Sequence, residues 1–401
     1  MSFVSRTPEG NYRANWREPS GRQKAKTFRT KTEAKRFLAE IDAGLSRGLY
    51  VDPHAGRLLF ATHARQWLDS RNDELTTKAR DASIMDTHVL PQWGDWQLSK
   101  IDHLSVQKWI TELGTRRSPA TVAEAHRLTS AVLRSAVRNR LIAFNPCEGI
   151  RLPRRRRQDT ADQIISREEL RNTLLPVTPE RYRAIIATAA GTGLRWGEAA
   201  GLRLDALDLK RGRLSVIRTV VEVSGHTSFK PYPKSSAGRR TVPLPGWLVP
   251  IIREHLDQYP GPAEAPIYAN AVGKPLRRTL FRSRVWRPSL VKAGMLGTLN
   301  VIDDNTVRAG WTDTTGATLT KEFATEREAV LHIAKSCTGG LRFHDLRHSY
   351  ATWLVDDGVP VNMVQRVMGH ERSSTTLDLY TRRTDDHDRI LQALDHGDDV
   401  C

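Results

Sequence analysis

Four short stretches, far apart in the chain, carry side chains able to hold and attack a charged tetrahedral group. Arg195 stands in TGLRWGE, with Glu198 one helical turn on; Lys234 stands in PKSSAGRRTVPL. His344 and Arg347 share FHDLRHSYAT, and His370 and Tyr380 share MGHERSSTTLDLY. A guanidinium is planar, permanently charged and able to donate two parallel hydrogen bonds. Two arginines are therefore a natural clamp for the nonbridging oxygens of a phosphodiester, and charge preorganised in this way is typically the largest catalytic contribution. A tyrosine hydroxyl that is oriented and relieved of its proton can act as the nucleophile. Its phosphoester would conserve the energy of the broken bond, so no ATP is required. His344 and Arg347 are three apart, which places both on one face of a helix. Gly191 and Gly193 precede Arg195 and permit a turn into a helix that starts close to a ligand. Taken singly, each residue has an ordinary role: a surface ion pair between Arg195 and Glu198, a helix cap at His344, a core aromatic at Tyr380. Their order and spacing favour the chemical role.

The elements that must position these groups belong to a long, basic chain. Its 401 residues suit two or three domains, and at 39% hydrophobic it can build real cores. Lys and Arg outnumber Asp and Glu by 62 to 45, giving a net charge of +17 and a pI near 10.1. That balance fits a polyanion, most simply nucleic acid, with anionic membrane surfaces as the competing partner. No apolar run is long enough to span a bilayer, and MSFVSRTPEGNYR has no hydrophobic signal core. Cys147, Cys337 and Cys401 are too scattered for a disulfide framework or a metal site. No carboxylate cluster for paired metals stands out, so neither metal nor cofactor is expected. A reducing, cytoplasmic and nucleoid-associated setting follows.

Three segments are expected. Residues 1–57 are short and basic: NYRANWRE and RQKAKTFRT flank the turn PSG as a hairpin, and Thr30 with Glu33 forms a capping box for the helix that follows. Residues 58–156 are helical by their three-to-four apolar spacing, with breaks expected at Pro91, Gly94 and Gly114, and end in a basic linker containing Arg154, Arg155, Arg156 and Arg157. That arginine run is either a solvated tether or a strap that tracks DNA. Residues 157–401 are mostly helical, with strands at RLSVIRTVVEV and RRTVPL around the turn FKPYPKSSAG. The fold class expected is multidomain and mainly α with small β-sheets.

The ordered set of Arg195, Lys234, His344–Arg347, His370 and Tyr380 strongly resembles that of the tyrosine recombinase, or phage integrase, family. His370 follows His344 by 26 residues, and Tyr380 lies ten beyond. The resemblance implies that the third segment is a mixed α+β catalytic domain and the second an all-helical core-binding domain. It implies that Tyr380 attacks a scissile phosphate to give a 3′-phosphotyrosine and a free 5′-hydroxyl. Arg195 and Arg347 would hold the nonbridging oxygens, Lys234 would protonate the leaving oxygen, His344 would accept the tyrosine proton and His370 would hydrogen-bond the phosphate. Glu198 would orient neighbouring groups. The partner implied is double-stranded DNA with attachment-type sites, bound by a homotetramer, with accessory host or phage factors. The helix DDHDRILQALDH is a candidate for exchange between protomers. Integration and excision of a phage or mobile element is the favoured activity. A chromosome-dimer resolvase, a topoisomerase using the same step and a non-catalytic DNA-binding regulator are the alternatives. Arg239 and Arg240 are expected to contact the DNA backbone, and His348 and Trp353 to pack or touch DNA.

Between Tyr12 and Glu40 nine Lys or Arg face three Glu. This hairpin and helix resemble the arm-type DNA-binding domain of some phage integrases, which lays a three-stranded sheet in the major groove. Trp16, Lys24, Lys26 and Arg29 are its expected DNA contacts. Residues 13–39 and 308–334 align without a gap, with ten identities in 27 positions, among them Trp16/Trp311, Gly21/Gly316, Phe28/Phe323, Thr30/Thr325 and Glu33/Glu328. These positions determine the fold of the unit, so residues 298–340 read as a second copy inserted in a surface loop ahead of His344. Residues 307–335 carry four basic side chains and four acidic ones. A near-neutral copy suits a protein contact better than phosphate.

Overall fold

The computed structural model describes residues 2–18, 21–46, 55–154, 164–230 and 240–369. The chain divides into two compact units, Met1–Gln158 and Asp159–Cys401.

The first unit opens with β1 (Phe3–Arg6), β2 (Tyr12–Arg17) and β3 (Gln23–Phe28), an antiparallel sheet in that order, followed by α1 (Lys31–Ser46). Side chains alternate across a strand, so Ala14 and Trp16 face the helix while Arg13 and Arg17 face outward. Trp16 meets Phe37 edge-on at 5.3 Å. The capping box forms: Glu33 N donates to Thr30 Oγ1 and Thr30 N to a Glu33 carboxylate oxygen, each at 3.2 Å. Two expectations change here. Trp16 is a core residue, 1% exposed, and no DNA contact. Lys24 pairs across the strands with Trp16, and Lys26 with Ala14, so both lie on the helix side. There Lys24 meets Glu18 at 3.4 Å, and Lys26 sits over the rings of Phe28 and Phe37. The open face carries Arg13, Arg17, Gln23 and Thr27 instead, residues that a charge count cannot separate from their neighbours.

The remainder of this unit is helical: α2 (Phe60–Asp69), α3 (Leu75–Ile84), α4 (Leu90–Trp93), α5 (His103–Arg116) and α6 (Pro119–Arg138). Asp102 and Ser118 cap the last two by accepting from Ser105 N and Thr121 N. Phe60, Met85, Trp93, Trp109, Leu128 and Leu133 form their core. Gly114 breaks nothing: α5 runs through it, because Val106, Trp109, Ile110 and Leu113 anchor the helix on that core. A glycine costs only about 1 kcal/mol in a helix, less than this packing supplies.

The second unit begins with α7 (Leu175–Val177), α8 (Glu180–Thr192) and α9 (Trp196–Ala200). Then come β4 (Leu207–Asp208), β5 (Arg213–Ser215), the hairpin β6 (Thr219–Val223) and β7 (His226–Lys230), and β8 (Thr241–Pro243). β4, β5 and β8 form one antiparallel sheet. Helices α10 (Leu248–Gln258), α11 (Arg278–Phe281) and α12 (Arg287–Lys292) follow. Next are β9 (Thr298–Asp303), β10 (Thr306–Thr312), β11 (Thr318–Phe323) and α13 (Glu326–Ser336), then α14 (Asp345–Asp356) and α15 (Val361–Met368). Helix α8 is the central member, buried from Ala184 through Thr192 and packed on α10 and α14.

Prolines that ought to end helices do not. Pro91, Pro176 and Pro288 each follow by two residues the end of a π-turn, at Met85–Val89, Glu169–Leu174 and Arg282–Trp286. Proline has no N–H and its ring clashes with the carbonyl four residues back; the wider turn moves that carbonyl away. The break expected at Pro91 is thus a continuous helix.

Residues 298–336 repeat the N-terminal architecture. The sheet order is β9-β10-β11, and the central register matches position for position: Tyr12 opposite Phe28 and Trp16 opposite Lys24 in one, Val307 opposite Phe323 and Trp311 opposite Leu319 in the other. The turn glycines, Gly21 and Gly316, have φ of 86° and 89°. Thr325 Oγ1 accepts from Glu328 N as Thr30 does from Glu33. The segment is not a loop appendage, however. Val307, Ala309, Trp311, Val330 and Ile333 share one buried core with Trp286, Leu290 and Leu346. Arg287, 6% exposed, donates from Nε to Ala334 O (2.5 Å), from Nη2 to Cys337 O (2.5 Å) and from Nη1 to Gly339 O (3.1 Å). It thereby caps the carbonyl end of α13, where orphan acceptors and the helix dipole favour a cation. Trp311→Ala is accordingly expected to cost about 3 kcal/mol, read as a lowered thermal midpoint of the whole second unit by calorimetry. A separate low-temperature transition with the main one unmoved would mean that the insert folds on its own.

Candidate active site

Arg195 occupies the N-cap of α9 with extended backbone (φ −68°, ψ 154°). It is reached from α8 through Gly193, whose φ of 63° closes that helix; a Cβ there would lie 2.5 Å from the Tyr350 ring. Only glycine satisfies both demands. Glu198, in the first turn of α9 and 3% exposed, accepts Arg195 N on one oxygen and Arg195 Nη1 on the other, both at 2.9 Å. Burial alone would push the Glu198 carboxyl up, but the hydrogen bonds and charge of Arg240, with the charge of Arg195, hold it below its ordinary range. It is a fixed anion, suited to orienting arginines and not to proton transfer.

His344 and Arg347 lie at the start of α14, His344 as N-cap. Arg347 is 2% exposed, so it is no ordinary solvated arginine. Its Nη1 donates to Gly193 O and its Nη2 to Met368 O, both at 2.6 Å. Arg195 Nη2 donates to Gly369 O at 3.2 Å, and Arg240 Nε to Val367 O at 2.7 Å. Three arginines from separate elements thus take three successive carbonyls at the end of α15, immediately before His370. Terminal carbonyls of a helix have no partner within it and carry the negative end of its dipole, so guanidinium groups gather there. Arg195 keeps 42% of its side chain open, which leaves it able to meet an anion.

The His344 ring lies edge-on to His348 at 5.1 Å, with its outer side open to solvent. Its pKa is pushed down to about 4, first by burial of its inner side and then by His348, Arg347 and Arg195. The open side screens part of this effect, yet the ring stays neutral near pH 7, the state in which it accepts a proton. Tyr350, buried beside these groups, has its hydroxyl pushed up to about 12, chiefly by burial, with Arg240 and Arg347 opposing. That is a poor setting for a nucleophile. Trp353 packs, donating its indole N–H to Ile165 O, and His348 is partly buried beside His344. Neither is placed as an evident DNA contact.

Of the other expected site residues, Lys234, Arg239, His370, Tyr380 and Arg155, Arg156 and Arg157 lie outside the described residues, as does DDHDRILQALDH. Arg154 and Arg29 are exposed. Arg240 departs from expectation: its side chain is 6% exposed and directed at Glu198, not at solvent. The RR pair ahead of TVPL gave no sign of which arginine turns inward. Among the described residues no group of three or more His, Cys, Asp or Glu could hold a metal, and no helix is long and apolar enough to cross a membrane.

Known families match both units. The phage integrase family model fits residues 314–387, which hold His344, Arg347, His370 and Tyr380, and the phage integrase central domain fits residues 60–152. The chain belongs to the phage integrase family of tyrosine recombinases. It is 26% identical over 401 residues to the prophage phiRv2 integrase of Mycobacterium tuberculosis, covering 96% of this chain and 92% of that one. The recombinase also shares its fold with the Tn1549 transposon integrase solved in complex with a circular intermediate DNA (TM-score 0.61, 17% identity, 84% of this chain and 99% of that one). A lambda integrase tetramer bound to a Holliday junction is similar at a TM-score of 0.52 and 15% identity, over 94% of each chain. The enzyme is a site-specific tyrosine recombinase of the class that integrates phage and mobile elements.

Proposed function

We propose that this recombinase cuts and rejoins double-stranded DNA at attachment-type sites as a homotetramer, through a 3′-phosphotyrosine on Tyr380. Arg195 and Arg347 hold the nonbridging oxygens of the scissile phosphate. His344 accepts the tyrosine proton as the Tyr380 oxygen bonds to phosphorus and the bond to the 5′ oxygen breaks. Lys234 gives that leaving oxygen its proton, His370 hydrogen-bonds the phosphate, and Glu198 orients Arg195. The 5′-hydroxyl of a second DNA then attacks the phosphotyrosine, which restores the tyrosine and exchanges the strands. The observation that carries this reading is the convergence of Arg195 and Arg347 on the end of α15, one or two residues before His370. Residues 1–57 are proposed to bind arm sites through the open sheet face bearing Arg13 and Arg17, and residues 58–156 to grip the core site. The insert, whose outward face carries threonines and the Arg308–Glu322 ion pair, is proposed to meet protein, either a neighbouring protomer or an accessory factor.

The direct test incubates the full chain with nicked suicide DNA bearing the element's junction and maps the covalently attached nucleotide. Attachment through a 5′-phosphate, or none at all, overturns the reading. His344 adds a pH dependence. A base with a lowered pKa loses function only when pH falls to that pKa, so single-turnover cleavage should hold from pH 8 down to about 6. An unshifted imidazole would already fail near 6.5. An acid limb centred near 6.5 that disappears in His344→Gln would contradict the lowered pKa, and one that persists in that variant would belong to another group.

A further inference from the structure

We infer that Arg240 is a positioning residue of the recombination chemistry, acting through Glu198 to set the Arg195 guanidinium, and is not the DNA-backbone contact its basic surroundings suggest. The inference deepens the function proposed above and rests on it.

The geometry is a closed circuit of hydrogen bonds. Arg240 Nε donates to Val367 O at 2.7 Å, while Nη2 and Nη1 donate to the two oxygens of Glu198 at 2.9 and 3.2 Å. The same two oxygens accept Arg195 N and Arg195 Nη1, and Arg195 Nη2 returns to Gly369 O. The circuit therefore leaves α15 at Val367, passes through Arg240, Glu198 and Arg195, and rejoins α15 two residues later. Each carboxylate oxygen receives one donor from each arginine, so the carboxylate cannot rotate without breaking bonds to both. Arg240 and Glu198 are sealed, with side chains 6% and 3% exposed, whereas Arg195 is 42% exposed. The buried members hold and the open member meets the phosphate.

Without Arg240, Glu198 would be a buried anion with a single charged partner. It would be free to take Arg195 as a two-pronged partner and draw it away from the phosphate. Arg240 also precedes β8 directly, and its carbonyl accepts Val216 N at 2.9 Å, which fixes it in the sheet beside β5. Lysine cannot replace it, since an ammonium is a point donor and cannot span both carboxylate oxygens and a carbonyl.

The test uses the full chain with Arg240→Gln and Arg240→Lys, measured for covalent-complex formation at saturating suicide DNA, for DNA affinity across a salt series, and for thermal midpoint. Both folded variants are expected to lose about 10²-fold in cleavage rate, as for a reacting group misplaced by about an ångström. Their DNA affinity and salt slope should stay at the wild-type value. Arg195→Ala combined with Arg240→Gln should be little slower than Arg195→Ala alone, because both act through one guanidinium. A salt slope lower by about one, with the loss confined to affinity, would restore the phosphate-contact role and overturn the inference. So would wild-type cleavage by the Lys variant, which retains the charge should the Gln variant fail to fold. If the wild-type protein itself formed no covalent complex, the proposed function would fall instead.

Discussion

A Tyr380→Phe variant is expected to form no covalent protein–DNA complex on suicide DNA, with adduct formation reduced by about 10⁴-fold or more, as for the removal of a nucleophile. DNA binding in a gel-shift assay is unchanged, because the lost atom contributes to bond making and not to the charged surface. The effect is expected of this tyrosine alone. Tyr350 is the rival within the described site, but its hydroxyl is buried and held in the protonated form. Tyr350→Phe should therefore still form the adduct. Persistence of adduct without Tyr380, or its loss with Tyr350→Phe, would move the nucleophile elsewhere.

The second large effect separates the two arginines proposed to bind the phosphate. Arg347→Ala should lower cleavage by at least about 10³-fold, the upper range for one preorganised charged donor, and should also destabilise the fold. Its guanidinium is 2% exposed and satisfies Gly193 O and Met368 O. Removing it leaves both carbonyls buried without that donor, at about 1–3 kcal/mol each. Arg195→Ala should lose a similar factor in rate with little change in thermal midpoint. Its side chain is 42% exposed, and Glu198 keeps the two-pronged bond from Arg240. Equal thermal shifts in the two variants, measured by calorimetry, would contradict this division between a buried clamp and an open one.

The insert changes meaning when its packing is considered. Arg287 ties Ala334, Cys337 and Gly339 together, Trp286 Nε1 donates to Leu341 O at 2.7 Å, and Phe343 is wedged against Trp196, Phe281 and Trp286. His344 comes next. The path from the insert to His344 is thus a run of packed and hydrogen-bonded contacts. Deleting residues 298–340 would open the core that holds His344, so a contact on the outward sheet face is better tested by substitutions at Thr298, Thr318 or Thr320.

Local features were legible in the sequence. The Thr30–Glu33 capping box, the Trp16 and Trp311 hairpins and their shared register follow from alternation, turn glycines and caps, which act over a few residues. The HxxR spacing placed His344 and Arg347 at one helix start for the same reason. The helix class of residues 60–138 was equally plain, whereas Pro91 and Gly114 misled, since a π-turn and a tertiary anchor overrule local breakers. Contacts made across long separations were beyond reach. Nothing in RRTVPL tells that Arg240 turns inward to an anion 42 residues away, nor in TGLRWGE that Arg195 reaches a carbonyl 174 residues on. The strand register, which the sequence does not show, puts Lys24 and Lys26 on the helix side of the sheet, Lys24 partly buried and Lys26 exposed. The chain by itself determined which groups are candidates for the chemistry, because residue type and spacing carry that. Only the tertiary structure decided which arginines are buried supports and which stay open, because burial is a property of what other elements bring against a side chain.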